Sequence, residues 1–129
     1  MSSKVPAGLK YSKEHEWVRV DGNKAVVGIT DHAQMQLGDI VFVDLPKVGA
    51  LVQSMKPMGV IESVKAASDI FSPVSGKVIA ANGELVKTPE IINQDCYGKG
   101  WIAEIELSQP DELNALLDEK AYAALISEA

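Results

Sequence analysis

The residue whose setting most clearly suggests a chemical role is Lys65, which lies between two runs of strand-forming residues. The predicted turn lacks the Asn-Gly or Asp-Gly pair that a purely structural hairpin prefers. Small or apolar neighbours, Val64 and Ala66, leave the lysine ammonium open to a modifying enzyme. A solvated lysine in a turn is the simpler interpretation of composition alone. The pattern predicts a hairpin over about residues 58–71 with Lys65 at its tip.

Few other side chains point to catalysis. Cys96 is the single cysteine, so it cannot form an internal disulfide, and without a His and Asn setting we do not expect a nucleophile. We expect a buried or half-buried small residue there instead. The two histidines, His15 and His32, occur without cysteine-rich spacing, so no metal site is predicted. A hydrolase built on His15, Glu16 and Asp69 would lack a nucleophile.

The overall composition restricts the function classes further. The chain has 129 residues, of which 47% are hydrophobic, enough for one domain spanning 1–129 with a modest core. A formal net charge of −6 argues against nucleic-acid binding, which needs clustered lysine and arginine. No apolar run approaches the roughly 18 residues of a membrane span, and the N-terminus has no signal-peptide pattern. We therefore expect a protein without a nucleic-acid or membrane partner, and a cytoplasmic location is the simplest interpretation, with a mature organellar protein that has lost its leader as the alternative. We also expect a monomer.

Strand patterns dominate most of the chain. A hairpin is predicted around Asp21-Gly22-Asn23, and Thr30 is expected to cap a short helix that ends at Gly38. Residues 85–100 are predicted to form a connecting loop with one helical turn at 89–92. The predicted strands are 17–20, 25–29, 40–45, 58–64, 66–71, 77–81 and 101–106.

The C-terminal residues change to a helical pattern. Ser108 is expected to cap a first helix with an apolar stripe at Leu113, Leu116 and Leu117. Asp118 is expected to start a second helix, so that two short helices occupy about 109–127. The whole pattern predicts a mainly β fold, a flattened β-barrel or sandwich with short helices at its periphery.

Several motifs, taken in order, resemble those of one protein family. The lysine motif Glu62 to Ile70, followed by Ser72 to Gly76, resembles the lipoylation hairpin of glycine cleavage system H proteins. Further blocks that resemble this family are His15-Glu16-Trp17, Gly28 to Gln34, Leu37 to Pro46, and Tyr97 to Ile102. The resemblance covers about residues 9–122 and implies a lipoyl-domain-like fold in which Lys65 holds lipoate in amide linkage.

The resemblance implies a carrier without catalytic activity of its own. A pyridoxal-phosphate-dependent glycine decarboxylase would load the aminomethyl group of glycine onto a lipoyl sulfur. A tetrahydrofolate-dependent aminomethyltransferase would take the methylene and release ammonia, and a FAD-containing dihydrolipoyl dehydrogenase would reoxidise the dithiol with NAD. A lipoate ligase or an octanoyl/lipoyl transferase would attach the cofactor. The reactive chemistry then belongs to cofactors, while the carrier supplies position and shielding.

The same resemblance implies that carboxylates surround the loaded arm. Glu16 and Asp69 match positions that the family uses there, and Glu14 is a third candidate. A carboxylate favours the charged form of a nearby amine, which ties up the lone pair that would otherwise expel the sulfur. Exclusion of water opposes hydrolysis in addition. Ordinary surface charge is the alternative explanation for each of the three residues.

Related carriers are the main alternatives. An H-like protein that relays lipoate to other enzymes would use the same lysine. A lipoyl domain of a 2-oxoacid dehydrogenase usually has Asp before its lysine, where this chain has Val64, and continues through a linker into further domains. A biotin carrier is disfavoured because Pro57 directly follows Lys56 and restricts its backbone.

Overall fold

The N-terminal part of the chain forms three antiparallel strands. The computed structural model describes residues 3–127, in which strands β1 (Lys10–Tyr11), β2 (Glu16–Asp21) and β3 (Lys24–Ile29) follow one another. Asp21 pairs with Lys24, so Gly22 and Asn23 form a two-residue turn in which Gly22 has a φ of 62°. A positive φ carries no steric penalty in glycine, which explains why the predicted hairpin forms here.

A short helix follows the first hairpin, as its capping residues predict. Helix α1 spans Asp31–Leu37, and the Thr30 side chain accepts a hydrogen bond from the Ala33 N–H. Gly38 ends the helix with a φ of 78°, and its N–H donates to the Gln34 carbonyl. Both predicted ends of this helix are therefore confirmed.

The lysine motif belongs to a small sheet of three strands. Strands β4 (Ile40–Asp44), β6 (Pro57–Ser63) and β7 (Ala67–Phe71) are antiparallel, with β6 in the middle. The β6–β7 hairpin matches the predicted hairpin to within a residue at its N-terminal side. A bulge between Ile40 and Phe42 interrupts the register of β4 against β6.

The other strands complete a second, larger sheet. Strands β5 (Leu51–Val52), β8 (Gly76–Ala81) and β9 (Ala103–Leu107) join the N-terminal strands in the order β1-β2-β3-β9-β8-β5. The mainly β fold with peripheral helices is therefore confirmed as two sheets, and the described residues form no closed barrel. The two-residue strands β1 and β5 were not predicted, because so short a strand depends on its partner strand and has little sequence pattern of its own.

The core lies between the two sheets. Its largest cluster draws on both of them, with Ile61 and Ile70 from the small sheet and Ile29 and Val78 from the large one. A separate aromatic cluster of Tyr11, Trp17 and Tyr122 fixes the C-terminal helix to the large sheet. Burial of this apolar surface is the main stabilising contribution to such a fold.

The predicted loop at 85–100 is wrong in part. Two short helices, α2 (Glu84–Lys87) and α3 (Ile91–Asp95), occupy much of this segment. Each buries one apolar side chain, Leu85 in α2 and Ile92 in α3, in the main core. Tertiary burial rather than helix propensity stabilises helices of this length, which explains why the sequence pattern missed one of them and shortened the other.

The first C-terminal helix also differs from its prediction. Residues Pro110–Ala115 form a 3-10 helix. Its N-cap residue is Gln109 and not the predicted Ser108, and the Gln109 side chain makes no capping hydrogen bond. Glu112 holds this helix in place because its carboxylate accepts hydrogen bonds from the Ser75 N–H and hydroxyl, both at 2.7 Å. The second helix, α4, spans Glu119–Ser127, and Asp118 caps it by accepting from the Ala121 N–H, as predicted.

Two sequence-based predictions are only partly covered by the structure. The predicted domain boundaries, residues 1 and 129, lie outside the described residues, so the single domain spanning the full chain stays a prediction. Within residues 3–127, no helix combines the length and the apolarity needed to cross a membrane.

Candidate functional site

The turn that carries Lys65 is stabilised by a serine instead of a glycine. The Ser63 N–H donates to the Ala66 carbonyl at 2.7 Å, and Ser63 Oγ accepts from the N–H groups of Lys65 and Ala66 at 3.3 and 3.1 Å. Neither Val64 nor Lys65 has a positive φ. The Ser63 side chain therefore provides the local hydrogen bonds of the turn, which explains the missing Asn-Gly signature.

The tip of the hairpin also contacts the end of helix α1. The Val64 N–H donates to the Asp39 carbonyl at 3.1 Å. The Lys65 side chain passes over Gly38, since a β-carbon built on that glycine would lie 3.7 Å from Lys65 Cε. Lys65 is nevertheless exposed, as are Val64 and Ala66. The structure thus presents an accessible lysine on a turn that is supported from one side.

A small cleft beside the hairpin brings the predicted carboxylates together. It is lined by Glu14, Glu16 and Asp69, which come from the residues around the start of β2 and from β7. The remaining lining residues are His15, Ile29, Ala33, Leu37, Ile61, Ser68 and Ile70. The cleft therefore combines apolar side chains from helix α1 and the sheets with three carboxylates.

Glu16 is the deeply buried carboxylate of the three. It is 2% exposed, and its Oε1 accepts from the Ser12 hydroxyl at 2.5 Å, while Oε2 accepts from the Phe71 N–H at 3.3 Å. Burial raises the pKa of Glu16 to about 8, an effect that the hydrogen bonds from Ser12 and Phe71 oppose. The proton of Glu16 is therefore held in the native protein at neutral pH unless a positive charge comes close.

Asp69 and Glu14 lie at the rim of the cleft. Both side chains are exposed, in contrast to Glu16. Asp69 and Phe71 both belong to strand β7. The Phe71 N–H donates to the Glu16 carboxylate, and this hydrogen bond holds β7, and with it Asp69, close to the start of β2. Ser12 is the site residue that the sequence did not indicate, because a serine four residues before a glutamate has no distinguishing pattern.

A second group of polar side chains lies behind the cleft. The Tyr122 hydroxyl is 2.8 Å from His15 Nδ1 and 2.7 Å from Thr30 Oγ1, and the His15 and His32 rings are 4.8 Å apart. Burial and the neighbouring His32 both lower the pKa of His15. The Tyr122 hydroxyl is hydrogen-bonded to both His15 and Thr30, so this network connects the C-terminal helix with the N-cap of helix α1.

Cys96 is unsuited to nucleophilic chemistry. It is buried, as predicted, and burial raises the pKa of its thiol to about 12. Its carbonyl accepts a hydrogen bond from the Trp17 indole at 3.0 Å, so the backbone at this position serves the core.

Among residues 3–127 there is also no cluster of three or more His, Cys, Asp or Glu side chains arranged to bind a metal ion.

Comparison with known proteins agrees with this arrangement. The family model described as glycine cleavage H-protein matches residues 9–129. The chain is 58% identical to the glycine cleavage system H protein of Symbiobacterium thermophilum, over 96% of this chain and 97% of that protein. It is 52% identical to the protein of the same name from Carboxydothermus hydrogenoformans, over 98% of this chain and 97% of that protein.

A solved structure agrees as well. The crystal structure of a glycine cleavage system H protein from Mycobacterium marinum superposes with a TM-score of 0.88 at 34% identity, covering 95% of this chain and 99% of that one. Fold, sequence motifs and full-length similarity thus lead to one family, whose members are carrier subunits and not catalysts. This chain belongs to the glycine cleavage H-protein family.

Proposed function

We propose that this protein carries lipoate in amide linkage on Lys65 and transfers the aminomethyl group of glycine between enzymes of the glycine cleavage system. The observation that carries the proposal is the exposed Lys65 at the tip of the β6–β7 hairpin, whose strands also line a cleft with three carboxylates. Membership of the H-protein family supports the proposal, since that family carries lipoate.

The residues of the hairpin suit a covalently attached arm. A modifying enzyme needs an accessible lysine amine in a defined position, and the Ser63 hydrogen bonds define the turn while leaving the side chain exposed. The apolar lining of the cleft, with Ala33 and Leu37 from helix α1, offers a surface against which part of an aliphatic arm can pack. Lipoate, when attached, supplies a dithiolane that accepts the aminomethyl group and, after reduction, delivers electrons.

The carboxylates that line the cleft suit a protonated amine. Glu16 has two hydrogen-bond donors but both are uncharged, a hydroxyl and a backbone amide. An ammonium group placed beside Glu16 would favour the ionised form of the Glu16 carboxyl group. The carboxylate would in turn raise the pKa of the amine and so favour its protonated form. Asp69 and Glu14 at the rim add negative charge at the entrance. We propose that these three carboxylates hold the amine in its protonated state while the cleft limits access of water.

The partners of such a carrier are those that the family resemblance implies. We propose that it docks successively with a pyridoxal-phosphate-dependent glycine decarboxylase, a tetrahydrofolate-dependent aminomethyltransferase and a FAD-containing dihydrolipoyl dehydrogenase. A lipoate ligase or an octanoyl/lipoyl transferase would load Lys65.

The cytoplasmic location and the monomeric state stay predictions of the sequence. The alternative of a 2-oxoacid dehydrogenase lipoyl domain is set aside because family membership is shown over nearly the whole chain.

Mass spectrometry tests the attachment site. The purified chain is incubated with lipoate ligase, ATP and lipoate, and we expect the mass of one lipoyl group on wild type and on Lys56→Arg, a control at another exposed lysine. Lys65→Arg keeps the positive charge and the approximate length at an exposed tip, so it should fold but remain unmodified. Lipoyl mass on the Lys65→Arg variant would disprove the assignment.

A further inference from the structure

Asn93 in helix α3 connects the segments that support the lysine turn. Its Oδ1 accepts from the Ile40 N–H at 2.9 Å, and its Nδ2 donates to Gln34 Oε1 and to the Gly38 carbonyl, both at 2.9 Å. One half-buried side chain therefore fixes the last turn of helix α1, the glycine that ends it and the first residue of β4. Both amide donors of Asn93 are used.

The segment held by Asn93 touches the hairpin tip at three consecutive residues. Ile40 pairs with Ser63 across β4 and β6, and the Asp39 carbonyl accepts from the Val64 N–H. Gly38 lies beneath the aliphatic part of Lys65. We call the corner 38–40 together with Asn93 the tip brace.

We infer that Asn93 is a positioning residue for the modification of Lys65, because it fixes the corner on which the hairpin tip rests. This inference depends on the proposed function, in which an enzyme modifies Lys65. A turn of three exposed residues, 64–66, has only Ser63 as an internal support. The tip brace adds contacts from outside the hairpin, so the modifying enzyme encounters the lysine in one predominant orientation. Without the brace, only a fraction of molecules would present the lysine correctly, and apparent affinity falls in proportion to that fraction.

The decisive variant is Asn93→Asp, which keeps the size of the side chain and the acceptor for the Ile40 N–H. It replaces the Nδ2 donor with an oxygen that faces two acceptors, Gln34 Oε1 and the Gly38 carbonyl. Asn114→Asp is the matched control, because it makes the same chemical change at an exposed position of the 3-10 helix. Steady-state lipoylation of the full chain by lipoate ligase gives KM and kcat, and amide hydrogen exchange of Val64 reports the bond to Asp39.

For Asn93→Asp we expect KM for the carrier to rise about five- to tenfold with kcat within about twofold of wild type, and faster exchange of the Val64 amide. The control should match wild type in all three quantities. If the role of Asn93 were purely structural, the variant would have a lower melting temperature. At assay temperatures well below it, however, KM would not rise independently of kcat. Unchanged KM, or a fall in kcat alone, would overturn the inference.

Two further measurements keep the test decisive. Should Asn93→Asp be unfolded at the assay temperature, Asn93→Ala takes its place, since it removes both Nδ2 hydrogen bonds, together with the one from the Ile40 N–H, without adding a charge. The expected and the contradicting results are the same for it. If wild type itself gains no lipoyl group on Lys65, the proposed function fails and this inference fails with it. Normal labelling of both wild type and the Asn93 variants overturns the inference alone.

Discussion

The Ser12 hydroxyl donates a hydrogen bond to Glu16 Oε1 over 2.5 Å, at a place where both residues are 2% exposed. The Glu16 N–H donates in return to Ser12 Oγ at 3.1 Å. His15, between them, adopts a φ of 72°, which closes the turn. The carboxylate of Glu16 is thereby fixed in a dry position with hydrogen-bond donors that have no charge. Such a carboxylate gains more from an incoming cation than an exposed one does.

The free energy of unfolding of the unmodified protein should fall as pH rises from about 5 to about 8. The native state keeps the Glu16 proton up to a pKa of about 8, whereas the unfolded chain releases it near 4.5. Because the native state binds more protons in this range, stability decreases with pH, by up to roughly 4 kcal/mol, and levels off above the native pKa. Urea unfolding of wild type and Glu16→Gln at several pH values measures this. Parallel profiles for the two proteins would contradict the raised pKa.

Loss of a carboxylate should shorten the lifetime of the loaded aminomethyl group. If Glu16 and Asp69 retain a proton on the amine, Glu16→Gln and Asp69→Asn should lower the pKa of that amine by about one unit. The loaded variants, separated from the decarboxylase, should then release formaldehyde faster than wild type, by up to about tenfold near pH 8. Glu62→Gln is the control, because Glu62 is exposed on β6 outside the cleft. Equal decay rates from about pH 6 to 9 for all four proteins would leave burial as the sole protection.

Gly28→Ala should destabilise the fold without touching the lysine. A β-carbon at Gly28 would lie 2.7 Å from the Trp17 indole, which is fully buried and donates to the Cys96 carbonyl. The ring cannot move without breaking the aromatic cluster, so we expect a loss of about 1–3 kcal/mol in urea unfolding. Gly83→Ala is the control, since nothing lies within 4 Å of its added carbon. Equal stability of the two variants would show that the Trp17 pocket is more adaptable than the structure indicates.

Tyr122→Phe should loosen the C-terminal helix. The ring stack on Tyr11, with centroids 4.6 Å apart, is kept, but His15 Nδ1 and Thr30 Oγ1 lose their common partner. Leaving buried polar groups unsatisfied costs about 1–3 kcal/mol. Urea unfolding gives the total, and amide exchange along α4 shows whether the loss is local. If neither quantity changes, the hydroxyl network contributes nothing to the attachment of this helix.

Attachment of lipoate should leave the melting temperature nearly unchanged. The core lies between the two sheets, and Lys65 is outside it, so the fold does not need the cofactor. We expect apo and lipoylated forms to melt within a few degrees of each other, and the aminomethyl-loaded form to melt higher because a docked arm binds only the native state. Calorimetry of the three forms compares them directly. A large difference between the apo and the unloaded lipoylated form would mean that the arm is part of the folded core.

The local elements of this protein were determined by the sequence itself. Thr30 and Gly38 define the ends of helix α1, and Gly22 allows the first hairpin, because caps and tight turns depend on a few adjacent residues. The two runs of strand-forming residues on either side of Lys65 likewise predict the strands β6 and β7. The short helix α2 escaped prediction, and α3 was predicted only as a single turn, because burial of Leu85 and Ile92 in a core built from distant strands stabilises them.

Only the tertiary structure decided the environment of the candidate site. The bond between Phe71 and Glu16 spans 55 residues, and that between Ile40 and Asn93 spans 53. Family resemblance named Glu16 as a candidate, but its burial and its raised pKa depend on how β2 packs against the hairpin, and its partner Ser12 is supplied by the turn before β2. Desolvation is set by all the atoms that surround a carboxylate, and these come from segments that are adjacent only after folding. The sequence therefore indicates which lysine projects, while the fold determines what lies beside it.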